Sequence, residues 1–325
     1  MKKTGSVILF SLLKAAITVS LIVLIFTGVD FSVLARHLDG SGTIYLLLGT
    51  LLLALNVLIV ALRWWLLLRR LGVETMSLPA AMLGTYASVF VGQATPAAIG
   101  ADAVRGWLCY RQSVPLRLIV MSLVTDRLLG LLGLAVVAGA VWYWQFNAVN
   151  QSLGRAAALV GAGAMAAAAI ALWLMPALTG GLAKRWRPLR ALHELLMMFR
   201  FTAVSRAGAI GLVLSSVVIA LTVNAVILFA RGFAVPLAPS VAYLIVPAAI
   251  LFSSLPISIG GWGVREASLS YGLVIFGVAQ SDAALLGLAL GIGLLLASLP
   301  GGIVMLFLGG QVRPALRRAG GGLME

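Results

Sequence analysis

Apolar runs long enough to cross a bilayer, most of them closed by arginine or lysine, recur along this whole sequence. A helix needs about 20 predominantly apolar residues to cross a hydrocarbon core of about 30 Å. Residues 6–29, 43–68, 118–144, 155–175, 207–230 and 283–308 meet that condition. No water is available in the core, so each run must satisfy its backbone polar groups internally, as a helix. The chain therefore reads as an all-α polytopic membrane protein. Composition agrees. Of the 325 residues, 62% are hydrophobic and 10% charged, against about 45–50% and 25% in soluble domains. That balance excludes a water-soluble enzyme, a secreted disulfide scaffold and a disordered linker.

The net charge of +14 does not point to nucleic acid, because the basic residues form no single patch. They stand at the ends of apolar runs, as the positive-inside rule requires. Lys2 and Lys3 precede the first run, whose apolar core exceeds the about 7–15 residues of a signal peptide. It reads as an uncleaved first span. Arg63-Trp64-Trp65 and Arg69-Arg70 close the second run, with tryptophans at headgroup level and arginines beyond. Residues 184–206 hold Lys184, Arg185, Arg187, Arg190, Arg200 and Arg206. Leu189, Leu192, Leu196 and Phe199 recur among them at helical spacing, which predicts an amphipathic connector lying on the membrane surface. The arginine pattern puts both termini, the 69–78 loop and this connector on the cytoplasmic side of the inner membrane.

Two further apolar segments are too short to be ordinary spans. Residues 79–94 break at Thr95-Pro96 and Gly100, and a helix resumes to Gln112. Residues 240–255 break at Pro256 through Gly260-Gly261, and a helix resumes over 262–278. The two breaks align at a constant offset of 160 residues, which maps Pro96 onto Pro256, Gly100 onto Gly260 and Arg105 onto Arg265. The same offset maps Gly72 onto Gly232 and Pro79 onto Pro239. Each repeat, 43–144 and 207–308, reads as span, broken re-entrant hairpin, span. The first enters from outside and the second from the cytoplasm, so the repeats are inverted. The expected architecture is six full spans plus two hairpins in one membrane domain, 1–325. Paired broken helices in inverted repeats mark transporters, with the substrate site where the breaks meet.

Charges inside the apolar runs mark the candidate site. Asp102 and Arg105 follow the first break and share a helix face. Arg265 and Glu266 follow the second. Asp126 and Arg127 lie about nine residues into their span, roughly 13 Å at 1.5 Å per residue. Adjacent residues point about 100° apart on a helix, so Asp126 and Arg127 are expected to pair with other groups. An intramembrane charge costs at least about 2.5–3.5 kcal/mol, and it normally faces a partner or a cavity. Arg105, Arg265 and Arg127 are the expected ligands of a phosphate-bearing headgroup. Asp102, Asp126 and Glu266 would orient them or carry protons. A purely structural set of salt bridges, with Arg105 and Arg265 snorkelling, is the competing reading. Asn56 and Asn224 read as interhelical hydrogen-bonding groups. Cys109 is the lone cysteine, and His37 and His193 have no metal-ligand spacing. Neither a nucleotide loop nor a hydrolase motif is present. No catalytic residue, metal or cofactor is expected.

The run Leu255-Pro256-Ile257-Ser258-Ile259-Gly260-Gly261-Trp262-Gly263-Val264-Arg265-Glu266 resembles the second signature of the lysylphosphatidylglycerol synthase transmembrane family. Thr95-Pro96, Gly100 and Arg105 resemble its first, and Asp126-Arg127 its acidic-arginine pair. The first motif departs from the family pattern: Ala101-Asp102 stands where a glutamate follows the glycine. The resemblance implies a lipid-handling membrane module. In two-domain members this portion is regarded as a flippase for aminoacylated phosphatidylglycerol, followed by a soluble aminoacyltransferase. A stand-alone membrane domain without that synthetase is the expectation here.

The expected activity is translocation of an anionic or phosphate-bearing lipid between leaflets, such as a phosphatidylglycerol derivative or a polyprenyl phosphate. The alternatives are a membrane subunit supporting a glycosyltransferase or lipid-modifying partner enzyme, and a transporter of a small soluble anion.

Overall fold

The computed structural model describes residues 41–95, 99–145, 187–254 and 258–321. These form nine helices and no strand. The first half holds α1 (Ser41–Arg70), α2 (Leu78–Gln93), α3 (Ile99–Arg111) and α4 (Leu116–Gln145). The connector is α5 (Arg187–Ala203). The second half holds α6 (Arg206–Gly232), α7 (Pro239–Ser253), α8 (Val264–Ile275) and α9 (Gln280–Gly321). Four stretches, within α1, α4, α6 and α9, are long and apolar enough to cross a membrane. The expected spans over 6–29 and 155–175, and the prolines Pro96 and Pro256, lie outside the described residues. α9 continues past its expected end at 308 to Gly321.

Local chemistry sets the helix starts. Ser77 Oγ accepts from the Ala80 N–H at 3.3 Å, with Pro79 in the first turn of α2. Ser205 Oγ accepts from the Gly208 N–H at 3.2 Å at the start of α6. Each hydroxyl satisfies one of the donors that a helix N-terminus leaves free.

Lipid tails are as apolar as leucine, so helices in a membrane associate through close packing and hydrogen bonds. α1 shows both faces of that rule. Ile44, Leu47 and Leu51 are exposed, while Leu53, Asn56, Ala61 and Trp64 are buried. α1 and α6 form the central pair. Asn56 Nδ2 donates to Thr222 Oγ1 at 2.9 Å between them, and Asn224 Nδ2 donates to the Tyr243 hydroxyl of α7 at 2.7 Å. Both asparagines thus play the interhelical part expected of them. Glycines allow the closest approaches: a Cβ on Gly133 of α4 would overlap Ser215 of α6, and one on Gly301 of α9 would overlap the Tyr86 carbonyl of α2.

The pattern of packed pairs survives exchange of α1–α4 for α6–α9. α2 lies on α9 as α7 lies on α4, and α1 lies on α9 as α6 lies on α4. The pairs differ in degree: α8 packs on α9 far more extensively than α3 packs on α4, and α2 more extensively on α9 than α7 on α4. Several chain turns gather at one end of the bundle. Gln112, just past α3, donates to Met76 Sδ at 3.4 Å, just before α2. Arg70 at the end of α1 stacks on Phe201 of α5, 4.0 Å from the ring centre. Arg117 of α4 pairs with Glu194 of α5 at 3.0 Å.

Candidate site at the helix breaks and a buried ion chain

The two breaks touch. The Gly260 N–H donates to the Thr95 carbonyl at 2.8 Å. Gly260, Gly261 and Gly263 hold φ of +60°, +76° and +82°, a region closed to most side chains. At the aligned positions of the first half stand Gly100, Ala101 and Ala103, all inside α3. The two breaks are therefore unequal. Alanine favours helix and avoids positive φ, so α3 begins at Ile99, while α8 waits until Val264. Gly100 is a packing glycine rather than a turn glycine: a Cβ there would overlap the Thr95 side chain. Beside the breaks, Gln93 Oε1 and Ser258 Oγ are buried without a hydrogen-bond partner among the described residues.

The charges of the first half form one chain across three helices. Arg63 Nε of α1 donates to Asp126 Oδ1 of α4 at 2.7 Å, and Arg63 Nη1 donates to Ser215 Oγ of α6 at 2.7 Å. Arg105 Nη1 of α3 donates to Asp126 Oδ2 at 3.0 Å, and its Nη2 to Asp102 Oδ1 at 3.0 Å. Arg127 Nε donates to Asp102 Oδ2 at 2.8 Å. Asp126 and Arg127 thus pair with other groups, as their divergent directions require. Exposure rises along the chain: the Arg63, Asp126 and Arg105 side chains are buried, Asp102 is 22% exposed and Arg127 43%. Three guanidiniums face two carboxylates, so the described residues of this chain carry one uncompensated positive charge.

The second half holds a closed pair. Arg265 Nε donates to Glu266 Oε1 at 2.9 Å, and Glu266 Oε2 accepts from the Gly263 N–H at 2.7 Å. Both side chains are buried. They press on Gly291 of α9, where a Cβ would meet Glu266 Oε1, and the Glu266 backbone lies against Gly287. Arg265 lies 5.4 Å from the Trp262 ring centre, and Arg105 lies 5.5 Å from that of Trp64. Both are cation–π contacts, but Trp64 belongs to α1 and Trp262 to the second break itself. Among the described residues, no hydrogen bond or ion pair joins the Arg105 chain to the Arg265 pair.

Arg63 is the member that sequence reading missed. The sequence pattern places it with Trp64 and Trp65 at the interface, yet Arg63 is 6% exposed and Trp64 is fully buried. The structure corrects that assignment. The signal was available: Arg63 stands nearly two turns inside the apolar run that Arg69-Arg70 closes. Gly130 and Gly211 line its side chain.

With this geometry in view, the chain compares clearly with one known family. Residues 11–307 match the family described as lysylphosphatidylglycerol synthase TM region. No curated protein matches the chain.

Proposed function

This chain belongs to the lysylphosphatidylglycerol synthase TM region family, and from that premise we propose that it moves an anionic or phosphate-bearing lipid between leaflets of the inner membrane, as a transporter rather than an enzyme. The observation that carries the reading is the buried ion chain with its surplus positive charge and its half-exposed end at Arg127. A phosphate cannot cross hydrocarbon without partners for its oxygens. Arginine supplies them in a planar fork that suits phosphate better than the point charge of lysine. The headgroup would pass along the arginines while its acyl chains stay in lipid.

An inverted repeat with two re-entrant hairpins suits that task, because unpaired backbone at a break must line a polar space. The exchange symmetry of the packed pairs supports two equivalent halves. Contact between Gln112 and Met76 supports a first hairpin that returns to its starting side. Gathered basic ends at α1, α4 and α5 support one cytoplasmic face.

Two measurements test this reading. In proteoliposomes, the purified protein should carry fluorescent phosphatidylglycerol across the bilayer. Arg105→Ala should weaken handling of that lipid about 10- to 150-fold, from the loss of about 1.5–3 kcal/mol of charge-assisted bonding. A folded Arg105→Ala, Arg127→Ala variant working at the parental rate would remove the ion chain from transport. For orientation, a cysteine at exposed position 190, with the buried Cys109 replaced, should react with an impermeant maleimide only in inside-out vesicles. Reaction in intact cells would reverse the topology.

A further inference from the structure

Asp102 grips two arginines with different oxygens. Its Oδ1 accepts from Arg105 Nη2 at 3.0 Å, and its Oδ2 accepts from Arg127 Nε at 2.8 Å. A phosphodiester group has the same outline: two oxygens on one centre sharing one negative charge. We propose that Asp102 sits in the seat of the ligand's phosphate, and that a phosphate-bearing monoanion binds by displacing it from Arg105 and Arg127. This rests on the transport reading above and adds to it where the anion sits, what charge it carries and what it must displace.

Four features of the site carry the proposal. First, the arginine behind the seat is held independently of Asp102. Arg105 keeps its Nη1 bond to Asp126, and Asp126 is held by Arg63. Second, Arg105 Nε is buried and has no hydrogen-bond partner among the described residues. It lies on the same edge of the guanidinium as Nη2, so a phosphate can take both donors where Asp102 takes one. Third, Asp102 and Arg127 are the accessible end of the chain, with side chains 22% and 43% exposed, whereas Asp126 is 3% exposed. Fourth, charge balances. With Asp102 and Asp126 both ionised, the described members of the chain carry one surplus positive charge, and a monoanion cancels it.

The second half offers no such seat. Glu266 spends one oxygen on Arg265 and the other on the Gly263 N–H, and both side chains are buried against α9. The anion seat therefore belongs to the first half alone, although Arg105 and Arg265 align in the sequence. The assignment reverses the usual expectation for a carboxylate that orients arginines: removing it should strengthen ligand binding.

The test is a thermal-shift titration of the full chain in detergent micelles. Phosphatidylglycerol or phosphatidylcholine is added to the micelles, or inorganic phosphate to the buffer. Asp102→Asn should bind phosphatidylglycerol about tenfold tighter than the parent, the scale of one charge-assisted contact freed from internal competition. Phosphatidylcholine, whose phosphodiester is already neutralised by its own choline cation, should serve as the net-neutral reference and gain less from Asp102→Asn, and Arg127→Gln should bind phosphatidylglycerol about tenfold more weakly. Asp102→Ser provides the same comparison should the asparagine variant not fold. Unchanged or weaker binding of both phosphatidylglycerol and inorganic phosphate by a folded Asp102 variant would overturn the proposal. A gain confined to inorganic phosphate would keep the seat and overturn the lipid-transport reading instead.

Discussion

Asp126→Ala is expected to cost about 3–5 kcal/mol, the scale of breaking a buried ion pair from one side, and to lower the melting temperature by roughly 5–15 °C. Asp126 is the keystone of the ion chain. Its two oxygens accept from Arg63 and Arg105, which come from α1 and α3, while Asp126 itself belongs to α4. The alanine variant leaves two buried guanidiniums facing each other with no carboxylate between them. Repulsion then adds to the loss of partners. Arg63→Met should cost less, because Asp126 keeps Arg105 while its Oδ1 and Ser215 Oγ each lose one donor. The double variant Arg63→Met, Asp126→Ala should recover part of the loss, since it removes the guanidinium left without a carboxylate while Arg105 keeps Asp102. Thermal unfolding in detergent micelles measures all three. A melting temperature within about 2 °C of the parent for Asp126→Ala would mean that the ion chain contributes less than about 1 kcal/mol.

The span positions of α1, α4, α6 and α9 were legible because length and apolarity alone fix where a helix can cross hydrocarbon. Both breaks were legible because proline and glycine interrupt apolar sequence that would otherwise continue as helix. Depth singled out Asp126, and the spacing of three tied Asp102 to Arg105. What stayed hidden was pairing across the chain. Nothing in the sequence near Arg63 names Asp126, 63 residues away, or Ser215, 152 residues away. Arg63 also sits close to Arg69 and Arg70, where an arginine ordinarily marks an interface. The aligned breaks hid a difference in kind. Gly260 turns the chain through positive φ, whereas Gly100 makes room for Thr95 inside a helix. Beside that shared glycine the aligned residues differ: Ala101 and Ala103 continue a helix, where Gly261 and Gly263 defer one.

That difference also changes how the two arginine sites are held. In the first half α3 has slight packing on α4 and is tied to it by ion pairs. In the second half α8 packs broadly on α9, and its ion pair is internal. A limb held by charges can be released when an anion competes for those charges, whereas a limb held by close glycine packing cannot. Under the transport reading α3 is therefore the helix that an anion can loosen, while α2 stays held on α9 by the close approach at Gly301 and α8 belongs to the frame.

Glu266→Ala is expected to be the most damaging single change in that frame. Glu266 is the carboxylate partner of Arg265 among the described residues, and its other oxygen caps the first turn of α8 by accepting from the Gly263 N–H. The alanine leaves a buried arginine unpaired, at about 3–5 kcal/mol, and removes a helix cap, at about 1 kcal/mol. Glu266→Gln separates the two losses. A glutamine carbonyl can still accept from Gly263, so the cap survives while the countercharge goes. Arg265→Met in the Glu266→Ala background should recover most of the ionic loss and none of the cap, because methionine fills similar space without charge. Melting temperatures should then rank the parent first, the double variant next, Glu266→Gln below it and Glu266→Ala last. A double variant no more stable than Glu266→Ala would show that Arg265 is satisfied without the carboxylate. The damage would then come from the cap and from the cavity left against Gly291.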